Sequence, residues 1–148
     1  MKISSRGHYG LIAMARFAQS YGQGPLSLSE VAEAGQLPLP YLEQVISQLR
    51  RAGLVEGTRG SHGGYQLTRQ PGEISVGDVV RALEGPIVPV DCLSEAYVSG
   101  ACVRDGECST RTVWERLRDS MNQVLDSTTL ADILASPGGA APEELQAG

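Results

Sequence analysis

Nowhere in the 148 residues does an apolar run reach the length of about 18 that a membrane-crossing helix needs. The amino-terminal apolar positions are interrupted by Arg6, His8 and Arg16, so a secretory leader is not expected either. These absences point to a cytoplasmic protein with no membrane partner. Enzyme signatures are missing as well: there are two histidines, no glycine-rich phosphate loop, and no Ser/His/Asp or paired-carboxylate arrangement. A catalytic role is therefore not expected, although pockets between helices leave little sequence signature and a small-molecule role stays open. Cysteine is scarce and odd in number, three in all, and none forms the Cys-x-x-Cys pair of zinc ribbons and thioredoxins. In a reducing compartment that count argues against a disulfide framework and for thiolate chemistry.

What is present centres on the stretch from Ser27 to Tyr65. Ser27 followed by Glu30 forms a capping box, and the short helix it starts is expected to end at Gly35 in the left-handed conformation. A second helix opens near Leu39, with Pro40 tolerated in its first turn. Its apolar residues, Leu42, Val45, Ile46 and Leu49, recur at helical spacing. That leaves Tyr41, Gln44, Ser47, Gln48 and Arg51 on the other side, mostly groups able to bond base edges or phosphates. Two helices of this kind fit a helix-turn-helix or an ordinary hairpin with a wet face equally well. The next residues tip the balance, because Leu54 to Thr58 and Gly64 to Thr68 read as two strands joined by Arg59-Gly60-Ser61-His62-Gly63. A hairpin directly behind a recognition helix is a wing, with Arg59 at its base suited to a narrow minor groove and His62 at its tip within reach of phosphate.

The formal charge of -5 is unpromising for a nucleic-acid binder until it is divided. Residues 1–72 hold seven Lys/Arg and four Asp/Glu, whereas residues 73–148 hold five and thirteen. A basic head at +3 therefore precedes an acidic half at -8, and association with phosphate follows the local field. So modest a surplus implies that binding leans on a dimer.

Around this unit, a first helix is expected from His8 to Tyr21, with Leu11, Met14, Ala18 and Tyr21 facing the core. After the wing, Ser75 and Asp78 cap a helix whose apolar face is Val76, Val79, Val80 and Leu83, stopped by Gly85-Pro86. From Cys92 to Cys108 neither helical nor strand periodicity holds, and such long loops inside compact domains are usually functional. A long helix over residues 109–125 carries Val113, Leu117, Ser120 and Val124 on one stripe, flanked by Trp114 and Met121, which calls for a partner helix. A short helix over 129–135 follows. The fold class is thus mainly α with a small β-hairpin wing, a winged helix-turn-helix plus a long C-terminal dimerisation helix. The expected organisation is a DNA-binding domain at 1–72, a cysteine loop with dimerisation helices at 73–135, and a disordered tail at 136–148 rich in Pro, Gly and Ala.

The spacing of Cys92, Cys102 and Cys108, with nine and five residues between them, fits a loop wrapped around one centre. Locally three readings stand: an iron-sulfur site, a zinc site, or thiols that oxidise reversibly or do nothing.

Met1-Lys2-Ile3-Ser4-Ser5-Arg6-Gly7, Tyr41-Leu42-Glu43-Gln44, Arg51-Ala52-Gly53-Leu54-Val55, Arg59-Gly60 with Gly63-Gly64-Tyr65, and Leu83-Glu84-Gly85-Pro86 together resemble the IscR-type family of winged-helix transcription regulators. The resemblance runs from Met1 to about Leu134. It implies a homodimer on palindromic double-stranded promoter DNA, acting as a repressor whose affinity is controlled by an iron-sulfur cluster, 2Fe-2S or 4Fe-4S. Such a cluster reports iron-sulfur, redox or nitric oxide status. It adds Glu43, whose match in the namesake of the family helps discriminate between classes of site, to the set read from the residues, so that the expected DNA-binding set is Tyr41, Glu43, Gln44, Ser47, Arg51, Arg59 and His62. Cys92, Cys102 and Cys108 become the cluster ligands. The chain departs from the cluster-binding relatives in having nine residues instead of five between the first two cysteines. Arg111 also stands where the namesake of the family has a histidine ligand. The fourth ligand is therefore open. His8 occupies the position at which nitric-oxide-sensing members supply an aspartate from the opposite subunit, and Glu95, Asp105, Glu107 and Ser109 are further donors. The alternative is a cluster-free regulator of cysteine or sulfur metabolism acting through a protein partner, which the Pro86 to Val90 segment resembles.

Overall fold

Serine and threonine start nearly every helix here. In the computed structural model, which describes residues 2–61 and 63–136, the Ser4 hydroxyl accepts from the Gly7 amide and begins α1 (Ser5–Gln19). Reciprocal capping boxes open three more helices: Ser27 with Glu30 for α2 (Leu28–Gly35), Ser75 with Asp78 for α4 (Val76–Glu84), and Thr129 with Asp132 for α6 (Leu130–Ala135). Each box satisfies two amides that no helix can satisfy internally. Between α2 and α4 lie α3 (Leu39–Arg51) and an antiparallel pair, β1 (Val55–Thr58) and β2 (Gly64–Leu67). The long α5 (Arg111–Ser127) precedes α6.

The expected first helix is displaced. It begins three residues earlier than His8, ends before Tyr21, and buries Ala13, Met14, Phe17 and Ala18, while Tyr21 is 44 % exposed. The cause is the use made of Gly7 and Gly10, which read as weak helix formers but are buried where α1 crosses α4. A Cβ at Gly10 would run into the side chain of Leu83. Glycine lets the two backbones approach at the cost of some helix propensity. A smaller correction concerns α2: Gly35 stays helical, and Gln36 adopts the left-handed conformation at φ 54°. The long helix starts at Arg111, because residues 109 and 110 belong to the turn that carries Cys108.

One core joins the elements. Met14 and Phe17 of α1, Val31 of α2, Leu42, Ile46 and Leu49 of α3, Leu67 of β2, Val79 and Leu83 of α4, and Leu130 of α6 pack together. A second cluster of Val76, Val80 and Ile87 receives Met121 and Leu125 of α5. Polar contacts fix α5 as well, since the Arg81 guanidinium donates to Asp126 at 2.6 and 2.8 Å and to Asn122 at 2.6 Å. Yet no residue of α5 is fully buried, and Val113, Leu117 and Val124 are 56, 41 and 62 % exposed. A helix with so continuous an uncovered apolar stripe lacks a partner within its own chain.

Candidate functional site

The two faces of α3 have opposite fates. Leu42, Val45, Ile46 and Leu49 are buried, as their spacing predicts, while Glu43, Gln44 and Arg51 stand in solvent and Ser47 and Gln48 are half-buried. Pro40, Glu43, Gln44, Ser47, Gln48 and Arg51 line one shallow concavity, which Arg6 from the first turn of α1 also lines. Arg6 is not among the candidates the sequence singled out; the Ser4 cap, which starts α1 at Ser5, is the signal that could have placed it. Tyr41 is less available than the rest, because its ring stands edge-on to Tyr9 at 5.4 Å and 87° and packs on the core. It braces α3 against α1.

The wing follows at once. Strand pairing runs in register from Val55 opposite Leu67 to Thr58 opposite Gly64, so Arg59 is the first residue beyond the ladder and is exposed. The Gly63 amide donates to the Gly60 carbonyl at 3.0 Å and closes the turn. His62 lies outside the described residues. Gly64 is required by a close approach, since a Cβ there would meet the backbone of Leu26 and Ser27. Leu26 and Tyr65 exchange hydrogen bonds of 2.9 and 2.7 Å, which fastens the wing to the segment leading into α2. Among the described residues, Arg6, Arg51 and Arg59 take part in no ion pair, leaving three guanidinium groups unneutralised around the reading helix. Guanidinium groups of this kind suit phosphate oxygens and base edges.

The cysteine loop is held by single turns. Cys92 sits half-buried in a short 3-10 turn, Asp91–Leu93. The amide of the exposed Cys102 donates to the Tyr97 hydroxyl at 3.1 Å, and the Asp105 carboxylate accepts from the Gly100 amide at 2.6 Å and the Ser99 hydroxyl at 3.2 Å. The Gly100 amide, foremost, holds Asp105 below the usual carboxylate range. Cys108 lies just before α5, its sulfur 3.3 Å from the Thr110 hydroxyl. That hydroxyl, then the backbone amides of Thr110 and Arg111 and the charge of Arg104, pull the Cys108 thiol below its ordinary value. This is the behaviour of a cysteine at a helix amino terminus. Arg111 pairs with Glu115 at 3.0 Å and lies close enough to Cys92 and Asp105 to feel their charge. Its side chain is thus engaged beside two of the loop's functional groups, although it cannot ligate a metal. By donor chemistry the loop fits an iron-sulfur or zinc centre: three thiols on one segment, one of them biased toward thiolate. Among the described residues, no three His, Cys, Asp or Glu side chains stand together as a ready ligand group. His8 is elsewhere, in a groove lined by α1, Ala34 and Gly35 of α2, and Ile133 and Leu134 of α6.

A family model described as an iron-dependent transcriptional regulator, Rrf2, matches residues 3–136. The chain belongs to the Rrf2 family. The match spans every helix, the wing and the cysteine loop. Among Rrf2-like relatives, the HTH-type transcriptional regulator CymR of Bacillus subtilis (strain 168) is 45 % identical over 139 residues, covering 94 % of each chain. The structure of that protein, described as the global cysteine regulator of B. subtilis, superposes with a TM-score of 0.76 at 44 % identity, covering 91 % of this chain and 97 % of the other. T. potens IscR superposes with a TM-score of 0.74 at 42 % identity, over 99 % of this chain and 96 % of the other. The regulator IscR of Aliivibrio salmonicida is 35 % identical over 134 residues, 90 % of this chain and 77 % of the relative. The chain is accordingly a transcriptional regulator of the Rrf2 type, and α2, α3 and the hairpin are its winged helix. Its relatives are regulators and not enzymes. Among the described residues, no helix is long and apolar enough to cross a membrane.

Proposed function

We propose that this Rrf2 regulator is a cytoplasmic homodimeric repressor whose affinity for palindromic promoter DNA is set by an iron-sulfur cluster on Cys92, Cys102 and Cys108. The observation that supports it most is the seat of Cys108 in the turn that leads into α5, its sulfur 3.3 Å from the Thr110 hydroxyl. That helix bears the apolar stripe left without an intrachain partner. When bound, the cluster supplies a centre whose integrity follows iron supply, oxidants and nitric oxide. The chain's own residues do the rest. Any change in how the loop is held acts on the first turn of α5, and so on the spacing of two reading heads joined through that helix. Gln44, Ser47 and Arg51 read the major groove, Glu43 accepts from exposed base amino groups, Arg6 neutralises phosphate, and Arg59 enters the adjacent minor groove. Tyr41 orients α3, and His62 is assigned to the wing on sequence alone.

His8 lines a groove with α1, α2 and α6 of its own chain, and a ligand role for it is assigned to the cluster of the opposite subunit. His8→Ala is then expected to shorten cluster lifetime; an unchanged lifetime leaves Glu95, Asp105, Glu107 and Ser109 as the remaining donors. The experiment for the whole reading is fluorescence anisotropy with a palindromic DNA, performed anaerobically before and after oxygen or nitric oxide. Affinity is expected to change about tenfold or more, and an unaffected affinity contradicts the proposal. A second reading is favoured by the 45 % identity to CymR, whose structure is described as that of a cysteine regulator. On that reading the chain controls cysteine or sulfur metabolism without a cluster and through a protein partner, and the loop thiols are free.

A further inference from the structure

A cavity of about 470 Å³ opens where the end of α4, the strap at 85–88, the first turn of the cysteine loop and α5 meet. Ile87, Val88 and Leu93 line it with apolar side chains, and Arg81, Arg118 and Glu95 with charged ones. Its size is that of sites for small organic ligands.

The charges are not equivalent. Arg81 is fully committed, since it donates twice to Asp126 and once to Asn122, and the carboxylate cancels its charge. Asn122 is committed too, because its amide nitrogen donates to the Arg118 carbonyl at 3.0 Å. Arg118 uses only its Nε, at 3.0 Å, on the neighbouring and largely exposed Asp119, so its two terminal nitrogens have no partner among the described residues. Glu95, by contrast, takes part in no ion pair among the described residues. The Arg118–Asp119 pair is on the solvent side, where such pairs contribute little, so the cavity offers two unused guanidinium nitrogens and one unpaired carboxylate among apolar side chains.

Its position keeps it open in a dimer. At 100° per residue, Arg118 and Asn122 lie about 120° and about 160° around α5 from the middle of the Val113, Leu117 and Val124 stripe. A helix covering the stripe leaves the cavity facing solvent.

We infer that this cavity binds a small zwitterion of the α-amino-acid class, with its carboxylate on Arg118, its ammonium on Glu95 and an aliphatic or thioether side chain on Ile87, Val88 and Leu93. A ligand held there ties the loop turn beside Cys92 to α5. By linkage, it changes DNA affinity by the factor by which DNA changes its own affinity. The site uses no cysteine, so it stands or falls independently of the cluster.

The test is isothermal titration of the full chain with each proteinogenic L-amino acid in turn, with propionate and propylamine as singly charged controls. It is repeated on the Cys92→Ser, Cys102→Ser, Cys108→Ser triple variant, which removes every thiol. Saturable binding of an apolar amino acid, retained in the triple variant and absent with both controls, is expected. Arg118→Gln and Glu95→Gln should each weaken it roughly ten- to a hundredfold, the range of a charge-assisted hydrogen bond. Glu95 is exposed and Arg118 half-buried outside the core, and an unchanged melting temperature confirms that the fold is intact. Absence of saturable binding by any amino acid overturns the proposal, as does equal binding of propionate or affinity that survives both substitutions.

Discussion

Replacing Val113, Leu117 and Val124 together by serine is the perturbation that most directly separates a dimerisation helix from an ordinary surface helix. The three side chains are 56, 41 and 62 % exposed in the single chain, so roughly half of each remains to be covered. Complete burial of a valine or leucine side chain is worth about 1.5–3 kcal/mol, so covering the exposed half contributes about 1 kcal/mol. Two-fold symmetry doubles three such contributions to about 6 kcal/mol. That corresponds to roughly four powers of ten in the dimer dissociation constant. None of the three is in the core, so the fold of the single chain should be little affected. Sedimentation equilibrium gives the association constant, and circular dichroism gives the helical content. A variant that still dimerises with wild-type affinity would refute the assignment of α5 as the interface.

Other perturbations probe other parts of the account. Arg59→Ala should cost about 1–3 kcal/mol on sites with a narrow A/T minor groove and less elsewhere; competition binding that shows a uniform loss across sequences makes Arg59 a phosphate contact instead. Cys108 should be alkylated faster than Cys102 near neutral pH, with the midpoint of its rate profile below that of an ordinary thiol; because the Thr110 hydroxyl is the foremost cause, Thr110→Val should move that midpoint upward, and an unmoved midpoint contradicts the geometry. Gly10→Ala should lower thermal stability by about 1–3 kcal/mol, since the new methyl meets Leu83 in a packed core, and an unchanged melting temperature would show that α1 and α4 can separate freely.

The reading helix was legible because Leu42, Val45, Ile46 and Leu49 repeat at the period of one helical face and Pro40 and Gly53 mark its ends. The hairpin was legible for a similar reason, since glycines punctuate its turn. The start of α1 was not, because Gly7 and Gly10 serve a contact with a helix more than 70 positions away, and glycine locally signals a break. Gly35 misled for the same reason: Ile12 and Leu37 crowd it, so the left-handed turn falls to Gln36. The stripe on α5 was visible as a period, but the firm attachment of its other side by Arg81 to Asn122 and Asp126 was not. Within the site, the number and spacing of the three cysteines marked the loop but left an iron-sulfur site, a zinc site and free thiols all open. How Tyr97, Asp105 and Thr110 hold the loop could not be read, because such side chain to backbone ties have no period. The expected tail from 137 onward lies outside the described residues.

The central claim is most directly tested by the iron and acid-labile sulfide content, with the visible absorption spectrum, of protein isolated without oxygen, alongside Cys108→Ser. The account predicts a coloured wild type carrying iron and sulfide in matching amounts, and a variant that loses both. Colourless wild-type protein, lacking iron and sulfide even after reconstitution, would contradict it.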